Sequence, residues 1–456
     1  MMNTDTIAAI ATAPGKGGIG IIRLSGPRAE AILSSVFQPA GKTTRPLESH
    51  RLYYGWITDG SVPGEPETVD ECMAVIMRAP RSYTREDVAE LQLHGGLWVL
   101  NRTLDLCLHA GARLADPGEF TRRAFLNGRL DLSRAEAVMD LINASGARAH
   151  QAAVRQLRGG ASAFIRNLSE KLVSLRAGLA ACMDYPEEIS DEEGAGRLRE
   201  GLEALAGMLE GAIDEHASRL IHRGLHVALV GRPNVGKSSI LNALLGEDRA
   251  IVTSVPGTTR DTVRGEMTLC GFQVILTDTA GVRDTLDPVE KIGVERSIQA
   301  LSDADVQLLV LDASEKLTEG DMTLLRMLDE NNSAVVINKT DLPQALDPEE
   351  ILRLRPNMPC LFVCAKDPET LSPLKHMIEQ FARLSADPAL TQPRHLDAAQ
   401  RALRHLRDAL STLECYTPDV AATDLQAAQE ALCEITGERA DEQLLDRVFS
   451  TFCVGK

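Results

Sequence analysis

Long apolar runs are missing from this 456-residue chain. None approaches the roughly 20 consecutive residues that a membrane-spanning helix needs. The opening Met1-Met-Asn-Thr-Asp-Thr has no basic segment followed by an apolar stretch, which predicts no secretion signal and a cytoplasmic protein. Cysteine is scattered. The closest pair among the nine, Cys360 and Cys364, has neither C-x-x-C spacing nor a second pair, so reduced thiols are expected rather than a metal or redox motif. Positive charge is short as well. With 48 Lys and Arg against 65 Asp and Glu, the net charge of −17 argues against a protein that coats nucleic acid nonspecifically. It leaves room for a local basic face or a basic partner. Hydrophobic residues at 44% are enough for ordinary packed cores, and the length predicts two to four domains at about 100–200 residues each.

What is present centres on Leu225-His-Val-Ala-Leu-Val230, an apolar run followed by Gly231-x-x-x-x-Gly236-Lys237-Ser238 and then a helical pattern. Strand, glycine-rich loop and helix make a P-loop. Its glycines let backbone N–H groups curl around phosphate oxygens, and Asn234, Val235, Gly236, Lys237, Ser238 and Ser239 would line that cradle. Lys237 brings a point charge to the β/γ-phosphates, and Ser238 offers a hydroxyl to Mg²⁺. The helix opening there aims its positive N-terminal end at the same anion. Downstream, Asp278-Thr279-Ala280-Gly281 closes the apolar run Phe272–Thr277, which places a carboxylate and a glycine where a magnesium-bound γ-phosphate would sit. Asn338-Lys339-Thr-Asp341 closes Ala334–Ile337, and a carboxylate there can accept from both N1–H and the 2-amino group of guanine. Three such motifs in this order resemble a guanine-nucleotide-binding GTPase domain.

Texture divides the chain. Up to about Pro117, short strands (Ile7–Ala11, Gly20–Leu24, Arg51–Ile57, Cys72–Met77, Val88–His94) alternate with helical patterns near Arg28–Phe37 and Leu97–His109, predicting an α+β domain. Pro14-Gly-Lys-Gly-Gly-Ile-Gly20 lacks the Lys-Ser or Lys-Thr pair of a phosphate loop and reads as a tight turn. Beyond Asp116-Pro117-Gly118 come helices: Leu132–Ile142 with a Ser-x-x-Glu capping signature, Ala152–Met183 and Gly196–Arg223. The segment 224–382 alternates strands and helices around a hairpin at Cys270-Gly271, predicting a doubly wound α/β sheet. Helices return through Asp397–Thr412, Ala421–Thr436 and Asp441–Phe452. The expected layout is therefore multidomain: residues 1–117, a helical part at 118–223, an inserted GTPase domain at 224–382 and a second helical part at 383–456. Two separate helical domains would give the same pattern.

Within the GTPase segment, Val282 stands where many GTPases place a water-positioning Gln. Asn234 and Thr253-Ser254-Val255-Pro256-Gly257-Thr258-Thr259 point instead to a monovalent cation beside the phosphates, with Thr259 as the switch ligand to Mg²⁺. Glu290 reads either as a solvated helix-start carboxylate or as the group that orients water. Arg401, Arg404, His405 and Arg407 read as a solvated helix surface or a local basic stripe. The ending Phe452-Cys-Val-Gly-Lys456 is not a prenylation box.

Gly231-Arg-Pro-Asn-Val-Gly-Lys-Ser, Gly257-Thr-Thr-Arg-Asp261, the block Pro117–Asp131 and the final Phe452-Cys-Val-Gly-Lys456 together resemble the MnmE (TrmE) family of tRNA modification GTPases, over the whole chain. The resemblance implies an N-terminal domain that binds a tetrahydrofolate derivative (5-formyl- or 5,10-methylene-tetrahydrofolate) and forms a homodimer. It also implies a partner, the FAD-dependent MnmG (GidA) type, with which a heterotetramer adds an aminomethyl-type (carboxymethylaminomethyl) group to carbon 5 of the wobble uridine of certain tRNAs. GTP hydrolysis would be activated by K⁺. Carried over by position, Asn234, Thr253, Val255 and Thr258 would hold K⁺, and Ser238 and Thr259 Mg²⁺. Glu290 would activate water, Cys453 would be a required thiol, and Arg23, Glu90, Arg129 and Lys456 would contact folate. Departures are Arg129 for a frequent Lys, Cys364-Ala365-Lys366 for Ser-Ala-Lys in the last guanine loop, and Pro256 for a small residue. The alternative is a ribosome-assembly GTPase, which would be expected to carry an appended RNA-binding domain or a basic tail.

Overall fold

The computed structural model describes residues 5–41, 46–60, 67–184, 191–247, 263–278, 301, 303–383, 388–415 and 418–456. The chain folds as two compact units. One comprises Met1–Met139, Gln156–Leu205 and Arg401–Lys456, the other Asp140–Arg155 and Ala206–Gln400.

The first unit carries a sheet of order β3-β4-β5-β6-β2-β1-β7 among the described residues. Its strands are β1 (Ile7–Ile10), β2 (Gly17–Ser25), β3 (Phe37–Pro39), β4 (Tyr53–Asp59), β5 (Glu67–Met77), β6 (Val88–Gly95) and β7 (Arg113–Leu114). The expected strands are all present with shifted limits: β1 stops at Ile10, β4 begins and ends two residues late, β6 gains Gly95, β5 starts five residues early as pairing continues into the mainly polar Glu67–Glu71, and β2 starts at Gly17, inside the stretch expected to be a turn. β3 and β7 are too short to carry a periodic signal. Residues 11–16 connect β1 to its antiparallel neighbour β2, in keeping with a turn, and Ala11 N–H donates to Ile21 O at 2.7 Å. Two helices, α1 (Ala29–Val36) and α2 (Leu97–His109), bury Ile32, Leu33, Leu100 and Cys107 with Ile22, Leu24, Ile76 and Leu91 from the strands.

Gly118, at φ +68, turns the chain into α3 (Glu119–Leu126), which also sets Phe120 and Arg123 in the interior. Arg123 is 1% exposed and meets the carboxylates of Asp5 at 2.8 Å, Glu119 at 2.9 Å and Glu86 at 3.3 Å. Next comes α4 (Leu132–Asn143). Its first turn is capped by Asp131, whose Oδ1 accepts from Arg134 N–H at 3.0 Å, and not by Ser133 as the Ser-x-x-Glu pattern suggested. Ser133 sits inside the helix and donates to the same Oδ1 at 2.8 Å.

The expected helix Ala152–Met183 is two helices, α5 (Ala147–Leu157) and α6 (Gly160–Asp184). They part at Gly159, φ +92, where a Cβ would lie 2.1 Å from the Arg134 guanidinium. The pattern Gly196–Arg223 likewise divides into α7 (Asp191–Glu210) and α8 (Glu215–Arg223), since Asp214 caps the second by accepting from Ala217 N–H at 2.8 Å.

The second unit holds β8 (Leu225–Val230), β9 (Val263–Leu269), β10 (Phe272–Asp278), β11 (Val306–Asp312), β12 (Ser333–Asn338) and β13 (Cys360–Phe362), in the order β13-β12-β11-β8-β10-β9. Among the described residues every pairing of this sheet is parallel except the β9–β10 hairpin, whose two loop residues Cys270 and Gly271 have φ of +52° and +82°. Two consecutive positive φ values are what a two-residue hairpin of right-handed twist requires. The sheet is covered on both faces, as its parallel strands demand. Leu225, Val227 and Leu229 pack with α9 (Lys237–Glu247) and α12 (Ser372–Phe381), while Leu309, Leu311, Val335 and Ile337 pack with α10 (Glu319–Met327) and α11 (Pro348–Leu354). Three helices, α13 (Pro393–Cys415), α14 (Pro418–Thr436) and α15 (Glu442–Ser450), complete the chain. On α13, Arg401 is paired with Glu434 at 2.8 Å, so at least this member of the arginine-rich stripe is neutralised within the fold.

Candidate nucleotide site and C-terminal tail site

Nucleotide-site residues gather at the carboxyl ends of neighbouring parallel strands, where open α/β sheets bind ligands. The loop after β8 begins at Gly231, φ +146, where a Cβ would lie 2.4 Å from Val310 O. Gly236, φ +98, is as constrained, with Asn338 Nδ2 2.1 Å from where a Cβ would be. Asn234 takes φ +65, a conformation Asn adopts more readily than most residues. Lys237 is 3% exposed and reaches back over the loop, donating from Nζ to Gly231 O and Arg232 O at 2.7 Å each. Burial lowers its pKa, against a weaker opposing pull from Asp278. Ser238, beside Ser239 in the first turn of α9, donates to Asp278 Oδ2 at 2.5 Å. That hydroxyl and carboxylate are hard oxygen donors of the kind Mg²⁺ takes.

Asn338 joins the loops. Its Nδ2 donates to Val235 O at 2.9 Å, and its Oδ1 accepts from Ala365 N–H at 3.1 Å. One side chain thus ties the phosphate loop to the last guanine loop. In that loop Cys364 N–H donates to Thr370 Oγ1 at 2.8 Å. Lys366 meets Asp341 at 2.9 Å, and this bond holds the Asp341 carboxyl below its ordinary range. Lys339, φ +63, bonds Asp312 at 2.6 Å. Burial works to raise the Asp312 pKa, but Lys339 and Ser314 together lower it.

Two supports escaped sequence reasoning. Asp312 ends β11 as Asp278 and Asn338 end theirs, a regularity visible only once the strands align. Arg232, inside the P-loop, is tied down by Asp321 at 3.3 Å, Glu315 at 3.1 Å and Thr318 Oγ1 at 3.4 Å. Thr318 and Asp321 form a capping box that the sequence displays, but nothing local names its partner. Thr253, Ser254, Val255, Pro256, Gly257, Thr258, Thr259, Thr279, Ala280, Gly281 and Glu290 lie outside the described residues.

In the first unit, Arg23 on β2 stands opposite Glu90 on β6, and the two pair at 2.8 Å with less than a fifth of either side chain exposed. The segment Phe452–Lys456 docks beside them. Arg23 Nη1 donates to Gly455 O at 3.2 Å, Phe120 N–H to Lys456 O at 3.2 Å and Gly118 N–H to Cys453 O at 3.4 Å. Phe452 is 5% exposed and packs on Phe449, whereas Cys453 is exposed. Arg129 approaches from the turn after α3, with its Cζ 4.7 Å from the Tyr83 ring centroid. Residues more than 400 positions apart in the chain therefore meet here.

The MnmE helical domain matches residues 132–453, and the GTP-binding protein TrmE N-terminus matches residues 6–129. The chain belongs to the MnmE family. Among curated MnmE proteins, that of Symbiobacterium thermophilum is 45% identical over 463 residues, covering 100% of both chains. The MnmE of Heliobacterium modesticaldum is 44% identical over 469 residues, with 99% of each chain covered. For Bacillus subtilis MnmE the identity is 42% over 461 residues, covering 99% of this chain and 100% of the relative. All three carry the name tRNA modification GTPase MnmE. The P-loop and guanine-loop geometry of this MnmE-family chain belongs to the GTPase half of that name.

Proposed function

We propose that this tRNA modification GTPase is potassium-activated and acts with a flavin-dependent MnmG-type partner to place an aminomethyl-type group on carbon 5 of wobble uridine, using a tetrahydrofolate derivative bound in the first unit of a homodimer. The supporting observation is the pairing of a guanine-nucleotide site in one unit with a cationic site in the other, built from Arg23, Glu90, Arg129 and the docked tail. A ribosome-assembly GTPase would leave the second site and Cys453 without a role. Limits of 1–117, 118–223, 224–382 and 383–456, with the GTPase domain inserted in a helical one, are part of this reading.

In the nucleotide site, Lys237 and the P-loop amides hold the phosphates, and Asp341 accepts from guanine N1–H and the 2-amino group. Ser238, with Thr259, holds Mg²⁺, which when bound offsets the negative charge of the phosphates. Asn234, Thr253, Thr258 and the Val255 carbonyl hold K⁺, and Glu290 orients the attacking water in place of a Gln. Arg23 and Arg129 bind the folate as cations, and Glu90 accepts from its ring N–H groups while keeping Arg23 in place. Lys456 supplies a further positive charge. Cys453, exposed beside this site, is the thiol the modification requires.

GTP hydrolysis measured in K⁺ and in Na⁺ at equal ionic strength tests the first part. The expected result is a rate on the order of tenfold or more higher in K⁺, with the difference abolished in Asn234→Ala. Equal rates in the two salts would overturn it.

A further inference from the structure

Tyr83 entered none of the sequence reasoning, yet both arginines of the proposed folate site converge on its ring. Arg129 Cζ lies 4.7 Å and Arg23 Cζ 5.6 Å from the ring centroid. Two guanidinium groups this close to one ring repel each other, and the negative face of an aromatic ring offsets that repulsion. The two arginines differ in what else restrains them. Arg23 also has Glu90, the Gly455 carbonyl and the Phe120 ring at 5.8 Å. Arg129 is exposed, and its other described tie is a bond from Nη1 to the Tyr83 carbonyl at 3.1 Å. Tyr83 itself is fixed. Its hydroxyl shares a hydrogen bond with buried Thr121 at 2.9 Å, and its ring packs on the cluster of Ile7, Ala9, Ala115 and Phe120.

We propose that Tyr83 is a positioning residue of the folate site, whose ring holds Arg129 beside Arg23 so that both cations face one ligand. This rests on the folate reading above. It also accounts for an arginine at 129, because a planar guanidinium stacks on a ring while leaving donors free at its edge.

The test is titration calorimetry of 5-formyltetrahydrofolate on the full chain, with melting temperatures as a check on folding. Tyr83→Phe keeps the ring and loses only the bond to Thr121, so its Kd should stay within about twofold of wild type. Tyr83→Leu should weaken binding about threefold to fivefold, the upper scale of a cation–π contact at an exposed arginine. Combined with Arg129→Ala, it should bind no more weakly than Arg129→Ala alone, because both remove the same positioned cation. A lowered melting temperature with unchanged Kd in Tyr83→Leu would make Tyr83 a packing residue and overturn the proposal. Additive losses in the double variant would overturn it too.

Were the wild-type chain to bind no folate, the folate reading would fall, and a second measurement would decide the role of Tyr83. With 3-fluorotyrosine at position 83, the ¹⁹F resonance should move on Arg129→Gln if the guanidinium sits on the ring. An unmoved resonance refutes the contact.

Discussion

Replacing Gly455 by Ala should loosen residues 453–456 from β1, β2 and α3 of the first unit without disturbing the nucleotide site. At Gly455, φ is +91°, and a Cβ would lie 2.4 Å from Ile10 O and 2.9 Å from Ala11 Cα. Both are backbone atoms of the β1 exit and cannot rotate aside. The left-handed conformation alone costs Ala about 1–2 kcal/mol, and the collision adds to that. Against this stand three hydrogen bonds, to Arg23, Phe120 and Gly118, worth together about 3–5 kcal/mol, at roughly 1 kcal/mol for each backbone bond and more for the charge-assisted one from Arg23. Conformation and collision together therefore offset most of the docking energy of residues 453–456, enough to populate the undocked tail. Phe452, whose burial contributes about 1.5–3 kcal/mol, should stay in place. Amide hydrogen exchange followed by mass spectrometry reads this directly. Peptides containing Gly118–Phe120 and Cys453–Lys456 should lose protection, folate binding should weaken, and GTP hydrolysis, carried by the other unit, should be unchanged. Wild-type protection in both peptides would refute the steric argument.

Asp341→Asn exchanges a double acceptor for an amide that pairs one acceptor with an NH₂ donor, so affinity should fall for GTP and rise for xanthosine triphosphate, which carries a carbonyl at the matching ring position; fluorescence titration with both nucleotides checks this. Glu119→Gln removes a carboxylate, 9% exposed, that accepts from Arg113 at 2.6 Å and Arg123 at 2.9 Å, and should cost about 2–3 kcal/mol in chemical denaturation at pH 7. Burial alone would raise the Glu119 pKa, but the bonds from Arg113, the Asp116 amide and Arg123 leave it lowered from 4.5. A carboxylate depressed by folding stabilises fully above its unfolded value and loses that contribution as pH falls through the folded one. The gap between wild type and variant should thus be constant near neutrality and shrink below about pH 4.5. A gap that widens on acidification would show that Glu119 stabilises by some other means.

How much the sequence disclosed depended on how locally each feature is encoded. Gly231–Ser238, Asp278 and Asn338–Asp341 each lie at a strand's end, so strand pattern and motif together were enough to place the proposed guanine-nucleotide site. Cys270-Gly271 was readable as a hairpin because two-residue turns carry their own chemistry. Helix borders were less accessible. A single glycine, Gly159, divides a continuous helical pattern because Arg134, 25 residues earlier, occupies the space a side chain would need. Asp131 took the cap that Ser133 advertised. Long-range ties left no local trace at all: Arg232 with Asp321, Lys339 with Asp312, and Arg129 with Tyr83. Arg23, Glu90, Arg129 and Lys456 came from family resemblance, and the fold brings Arg23, Glu90 and Arg129 together around Tyr83 and the docked tail for reasons of register and packing that no stretch of sequence displays.

The most direct measurement is mass spectrometry of tRNA nucleosides from cells lacking this chain, complemented with wild type or with Cys453→Ser. The account predicts loss of 5-aminomethyl-type wobble uridines, restored by the wild-type chain and not by the serine variant. Unchanged nucleosides, with ribosomal precursors accumulating instead, would contradict it.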